Sequence, residues 1–323
     1  MNRRTKLLAL AQLGALRVIR GQERPTYRSD VRLVTVDVLV TERSSRKVVD
    51  VLGAKDFVIF DDGQPRELSF FEIETTPLDV VFVPYLAGWF AGGRDYNEFV
   101  RGWRAALAAL RDGDRAGLVR SLRHADNVPL TGRHEEVRDA LHPAGGSGGT
   151  RIGRGAQLYE VLKLAAAMFR SSGGEHRRRS IVAITDNAED GSATGLKELT
   201  DSLLAADCTL NLMVLATVNL GGSAGRVGPW PFPGRQRQIG GGVPSGQSCR
   251  GAAEATGGVV IPGDQMATNL PSLIRQTQLR YLLGFYANPS GPAQFRALSI
   301  ELSEDARRRH PAAEIKHRKG YIP

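Results

Sequence analysis

The stretch PLDVVFVPYLAGWF, residues 77–90, decides the fold. Its first part, LDVVFV, is almost uniformly apolar, the texture of a strand covered on both faces, and is too short to span a membrane. Similar text returns in RAGLVRSL (115–122), SIVAITD (180–186), TLNLMVLA (209–216) and VVIP (259–262). Helical text lies between these strands. Phe99, Trp103, Ala106, Leu107 and Leu110 share one helix face, and GAQLYEVLKLAAAMFR (155–170), LKELTDSLLAAD (196–207), RGAAEATGG (250–258) and a segment through Leu270 to Leu279 follow. Buried strands alternating with helices predict an α/β fold with a doubly wound, mainly parallel sheet over residues 77–280.

Outward from this region the text alternates. Val34, Val36, Val38 and Val40 fall on one face with Thr35, Asp37 and Thr41 opposite, which is the period of a half-buried strand. Phe57 to Phe60 adds a second strand, Asp61–Asp62–Gly63 a turn, and the region of Leu68 and Phe70 a returning strand. After the α/β region, Tyr281 to Tyr286, then Leu298, Ile300 and Leu302, then Ile315 before the closing GYIP read as β again. Residues 28–76 and 281–323 are therefore expected to be the two parts of one small antiparallel β-domain into which the α/β domain is inserted, with two separate β-segments as the alternative. Glycine-rich stretches at 143–155 and 221–247 interrupt the α/β region.

The chain has 323 residues, with 43 Lys and Arg against 34 acids and a net charge of +9. That balance suits an acidic partner without naming one. Two cysteines, Cys208 and Cys249, allow at most one disulfide. Residues 1–27 read as a signal or disordered segment: Arg3, Arg4 and Lys6 precede the apolar run Leu7 to Leu16, although Arg17 and Arg20 make a poor cleavage site. The expectation is a secreted or periplasmic protein, otherwise a cytoplasmic one, with no transmembrane span.

PLDVVFV, LRDGDRAGLV, GAQLYEVL, RRRSIVAITDNAED, AAEATGG and YLLGFY, in that order, resemble the von Willebrand factor A-like proteins of the acidobacterial type, and AKDFVIFDDG and RKGYIP resemble that family's β-flanks. The resemblance implies a metal-ion-dependent adhesion site at the carboxyl edge of the sheet. In such a site an Asp-x-Ser-x-Ser loop follows the first strand, a threonine precedes a central helix and an aspartate ends the fourth strand. In this chain Tyr85 stands at the aspartate position, Ala87 and Trp89 at the serines, Ala156 at the threonine, and only Asp186 is kept. A hard divalent cation needs about six oxygen ligands, and a phenol, a methyl group and an indole supply at best one weak donor. The site is therefore expected to be degenerate, with no bound cofactor. The alternative is a weak magnesium or calcium site rebuilt around Glu189 or Asp190.

What remains is an edge carrying Tyr85, Trp89 and Phe90 beside the glycine loops, with Arg151 and Arg154 adding positive charge. These residues and Asp186 are the candidates for partner binding, because aromatic anchors suit a protein interface; the competing reading is that the aromatics fill the vacated space as core. GGSGG at 145–149 matches G-x-S-x-G, but Ser147 lies in a loop and not on a strand-to-helix elbow. SSRK at 44–47 sits in a hairpin turn, and the six histidines have no metal spacing. The basic runs Arg177–Arg179, before a strand, and Arg307–His310, in a tail hairpin, read as solvated faces and not as nucleic-acid contacts. The expected function is a non-catalytic protein-binding or scaffold module with no specific nucleic-acid ligand. The alternative is a divalent-cation-dependent adhesion protein.

Overall fold

The computed structural model describes residues 32–73, 76–85, 93–141, 157–171, 177–185, 189, 192–215, 249–287 and 294–322. Four strands come first: β1 (Arg32–Glu42), β2 (Phe57–Asp61), β3 (Gln64–Arg66) and β4 (Phe70–Ile73). The central strands are β5 (Leu78–Tyr85), β6 (Arg115–Leu118), β7 (Val128–Thr131), β8 (Arg178–Thr185), β9 (Cys208–Val214) and β10 (Val260–Pro262). Between and after them lie helices α1 (Gly93–Ala108), α2 (His134–Ala140), α3 (Leu158–Met168), α4 (Leu196–Ala205), α5 (Arg250–Ala255) and α6 (Met266–Gln278). The chain then returns to β11 (Tyr281–Ala287), β12 (Arg296–Leu302), the short helix α7 (Glu304–Arg309), β13 (Ala313–Lys316) and β14 (Gly320–Tyr321).

The central sheet runs β10-β9-β8-β5-β6-β7, parallel except for the antiparallel edge strand β7. Counted from β5, this is the doubly wound order 3-2-1-4-5-6. Alternate residues of β5 serve opposite layers. Leu78, Val80 and Phe82 pack with α1 and α6, whereas Val81, Val83 and Tyr85 pack with α3, α4 and α5. Burial on both faces is why LDVVFV carries no wet face.

The polar residue in that run has a specific role. Asp79 is fully buried and accepts from Arg115 Nε at 2.8 Å and Arg177 Nε at 2.6 Å. Next to it, Asp114 from LRDGD accepts the Leu78 N–H at 2.8 Å, the Arg111 N–H at 2.9 Å and Gln278 Nε2 at 3.0 Å. One carboxylate thus ties the start of β5 to the end of α6. Gly102 lets α1 cross α6 closely, because a Cβ there would run into the Met266 carbonyl.

The remaining strands form two antiparallel sheets, β13-β1-β11-β4 and β14-β12-β2-β3. They share one core, in which Val34, Val36, Val38 and Val40 of β1 meet Ile59, Phe285, Ile300 and Tyr321. Each sheet mixes strands from before and after the α/β region, as in β1 with β11 and β2 with β12. The α/β fold is thus inserted in an antiparallel β-sandwich.

Three details differ from the sequence reading. The return after the Asp62–Gly63 turn is β3 at Gln64–Arg66, and Phe70 begins β4, which pairs with β11 in the other sheet. Arg177 and Arg178 are not a solvated face. Their side chains are 8% and 2% exposed, and Arg178 donates to Asp37 Oδ1 at 2.7 Å and to the carbonyls of Gln278 and Arg280 at 2.8 and 3.0 Å. Arg307–Arg309 end a helix, α7, capped at its start by the Ser303 hydroxyl accepting the Ala306 N–H, with Glu304 and Asp305 in its first turn.

Candidate functional site

The strand order reverses between β5 and β8, and their last residues, Tyr85 and Thr185, are register partners. Ligands of open α/β sheets bind outside the carboxyl ends of the strands at such a reversal. Facing this point is the start of α3, where the first helical amides lack intrahelical acceptors.

Side chains of the protein take those amides. Tyr85, 3% exposed, accepts the Gln157 N–H on its phenol oxygen at 2.7 Å. Glu189, 8% exposed, accepts the Tyr159 N–H on Oε2 at 3.0 Å. The same carboxylate accepts the Ser192 hydroxyl and the Ser192 N–H, both at 2.8 Å. A carboxylate at a helix start also complements the helix dipole. Burial pushes the Tyr159 phenol up to about 12, with Cys249 and Glu189 nearby adding to the rise.

A second tier fixes α3 to α4. Glu160 Oε1 accepts the Thr194 N–H at 2.9 Å, and Lys163 Nζ reaches Thr194 Oγ1 at 3.1 Å and Glu198 Oε1 at 2.6 Å. Burial works to raise the Glu160 carboxyl, but the Thr194 hydroxyl and amide and the Lys163 charge outweigh it and hold the group below its ordinary value. Cys208 and Cys249 are both buried thiols, and burial pushes each well above the ordinary thiol range.

Of the sequence candidates, Tyr85 lies in this constellation as a buried, hydrogen-bonded side chain. Trp89, Phe90, Arg151, Arg154 and Asp186 lie outside the described residues, as do Ala87, Gly88, Ser147, Ala156, Asp190 and both glycine-rich stretches. Sequence reasoning singled out Glu189 only as a candidate calcium ligand and missed Ser192, Thr194, Glu160 and Lys163. The usable signal was the acid three residues before Ser192, a spacing that lets a side chain close a tight turn.

Within the described part of this edge, the oxygen of Tyr85 accepts an amide and the Glu189 oxygens meet three donors, so these hydrogen bonds are to the protein's own groups.

No family model matches the chain, and no curated protein matches it. Among solved structures the chain is similar to an aerotolerance-related membrane protein from Bacteroides fragilis, at 17% identity over 62% of this chain and 98% of that one, with a TM-score of 0.43. It is also similar to the conserved hypothetical protein BatB from Bacteroides thetaiotaomicron, at 15% identity over 62% and 96% with a TM-score of 0.41. A third is the SpRpn10 VWA domain, at 12% identity over 62% and 95% with a TM-score of 0.37. The strand order β10-β9-β8-β5-β6-β7 and the helical layers on both faces make this region a doubly wound α/β fold. No helix among the described residues is long and apolar enough to cross a membrane.

Proposed function

We propose that the chain is a non-catalytic protein-binding module of the von Willebrand factor A type whose carboxyl edge works without a metal ion. The observation that supports this is the occupation of the α3 start by Tyr85 and Glu189. In a metal-dependent edge an ion bridges the first strand, the helix start and a partner's acid; here the protein's own hydrogen bonds supply the local order. Trp89 and Phe90, in the segment after Tyr85, are the proposed anchors. Arg151 and Arg154 favour an acidic surface on the partner, in keeping with the net charge of +9. A secreted or periplasmic location, with residues 1–27 as the export segment, completes the proposal.

Two measurements test it. Thermal unfolding with millimolar magnesium, calcium or manganese should match unfolding in EDTA; a melting point raised by any of the ions overturns metal independence. Immobilised full-length chain should retain a protein partner in EDTA and release it on Trp89→Ser. Identical retention by the wild type, Trp89→Ser and Tyr85→Asp rules out the carboxyl edge as the binding surface.

A further inference from the structure

A cleft of about 500 Å³ lies between the turn that follows β1 and helix α6, with Ile261 of the edge strand β10 also on its wall. The turn is fixed. Arg46 is left-handed at a φ of 55°, its N–H donates to the Glu42 carbonyl at 2.8 Å, and the Lys47 N–H donates to Ser45 Oγ at 3.2 Å. From α6, Gln276 Nε2 reaches the Arg46 carbonyl at 3.4 Å. The basic residues of SSRK are therefore presented from an ordered turn beside α6.

The charge on this cleft is unbalanced. Arg46, Lys47 and Arg275 line it, all three are exposed, and none forms an ion pair among the described residues. Helix α6 contains no Asp or Glu, and Glu42, which accepts the Ser45 hydroxyl at 2.9 Å, is not on the cleft wall. Among the described lining residues Asp50 is the one acid, against three cations. By contrast, the exposed cations Arg133, Lys197 and Arg307 each meet a carboxylate.

The uncharged wall suits a polypeptide. The Ser272 hydroxyl and the side-chain carbonyls of Asn269 and Gln276 have no partner among the described residues and, with Asp50, can pair with main-chain groups of an extended strand. Val48 and Leu279, both half-buried, add apolar wall. No aromatic side chain lines the cleft among the described residues and Asp50 would repel phosphates, so single-stranded nucleic acid fits it less well. The volume is that of a ligand cleft.

We infer that this cleft docks an extended acidic segment of a partner protein, its acids against Arg46, Lys47 and Arg275 and its apolar side chains against Val48 and Leu279. The cations come from two elements, so the ligand is a run of several acids and not one anion. The site shares no residue with the Tyr85–Glu189 constellation and does not rest on the carboxyl-edge reading.

The test is fluorescence anisotropy of a labelled Glu-Leu-Glu-Glu-Leu-Glu peptide on the full-length chain at low salt. Binding should be saturable, and the Gln-Leu-Gln-Gln-Leu-Gln peptide should bind about tenfold more weakly or worse. Arg46→Gln and Arg275→Gln should each weaken the acidic peptide about fivefold. Trp89→Ser should leave it unchanged, as should the double variant Arg104→Gln with Arg123→Gln, which removes exposed unpaired cations elsewhere. Absence of saturable binding overturns the inference. So does an equal loss in the Arg104 and Arg123 variant, because the peptide would then read only net charge. An oligothymidylate that displaces the peptide and is itself weakened by Arg46→Gln would make the cleft a nucleic-acid site instead.

Discussion

The Glu189 carboxylate accepts the backbone N–H of Tyr159 at 3.0 Å, so a residue just beyond β8 holds the first turn of α3. Tyr85, from the end of β5, does the same for Gln157. The helix start at the strand-order reversal is thereby tied to both neighbouring strands.

The two ties should differ in strength. Tyr85→Phe removes one neutral hydrogen bond and should cost about 1 kcal/mol. Glu189→Ala strands three donors that meet an ionised acceptor and should cost about 2–3 kcal/mol. Urea unfolding gives both values, and hydrogen exchange should accelerate at Tyr159 in the second variant. Equal losses would mean that the carboxylate is not the principal support.

A second carboxylate should govern acid stability. Asp61 has no exposed side-chain surface and accepts two hydrogen bonds from Arg296, each 2.8 Å, and one from the Tyr321 hydroxyl at 3.2 Å. Burial acts to raise its pKa, but Arg296, Tyr321 and Arg66 together hold it below the ordinary 3.8. A depressed folded-state value means that the unfolded chain binds the proton more readily. The stabilisation is complete above about pH 4 and is lost as the pH falls through the folded value. Asp61→Asn should therefore lower stability at neutral pH and flatten the acid limb of a melting-temperature profile. An unchanged acid limb would remove Asp61 from the account.

Arg280 should be dispensable to stability. Its side chain is buried, Nη1 donates to the Gly257 carbonyl at 3.0 Å, and Nε and Nη2 have no partner among the described residues. Burial pulls its pKa down to about 10. Asp37 is already held by Arg178, so removing the second guanidinium leaves no carboxylate stranded there. Replacing a poorly satisfied buried charge with an apolar side chain is often neutral or stabilising, and Arg280→Leu should change unfolding free energy by roughly 0 to +2 kcal/mol. A loss of several kcal/mol would show that the guanidinium is better compensated than its hydrogen bonds indicate.

These residues also show where sequence reading works and where it stops. The strands β5, β8 and β9 were legible because burial on both faces leaves an uninterrupted apolar run. The RGAAEATGG segment was legible as a short helix, and the glycine pair that follows it has a steric reason: a Cβ on Gly258 would run into the Leu210 carbonyl. The return strand was misplaced because residues 64–73 contain two short edge strands, and composition cannot tell which sheet will pair with an edge. Arg177 and Arg178 read as a basic run because their acceptors, Asp79 and Asp37, lie far away in sequence. At the carboxyl edge, Tyr85 was singled out by its place at the end of the first central strand, but the use of Tyr85 and Glu189 as supports for α3 depends on distances no spacing rule contains.

His317 should impose a second, milder pH dependence. The ring is buried between two backbone groups: Nδ1 lies 2.6 Å from the Arg318 carbonyl, and Nε2 accepts the Ile300 N–H at 3.2 Å. This arrangement suits the neutral tautomer with its proton on Nδ1, because a proton on Nε2 would face the Ile300 donor. Burial lowers the pKa beneath 6.5, outweighing the carbonyl, which favours the charged form. Since the folded value is the lower one, the unfolded state takes up the proton first. Stability is full above about pH 6.5 and declines as the pH falls through the folded value. The melting temperature should thus drop between neutral and mildly acidic pH in the wild type, before Asp61 begins to titrate, and His317→Gln should remove that step while leaving the Asp61 limb in place. A wild-type profile that is flat from pH 7 to about pH 5 would show that the ring does not stay neutral in the fold.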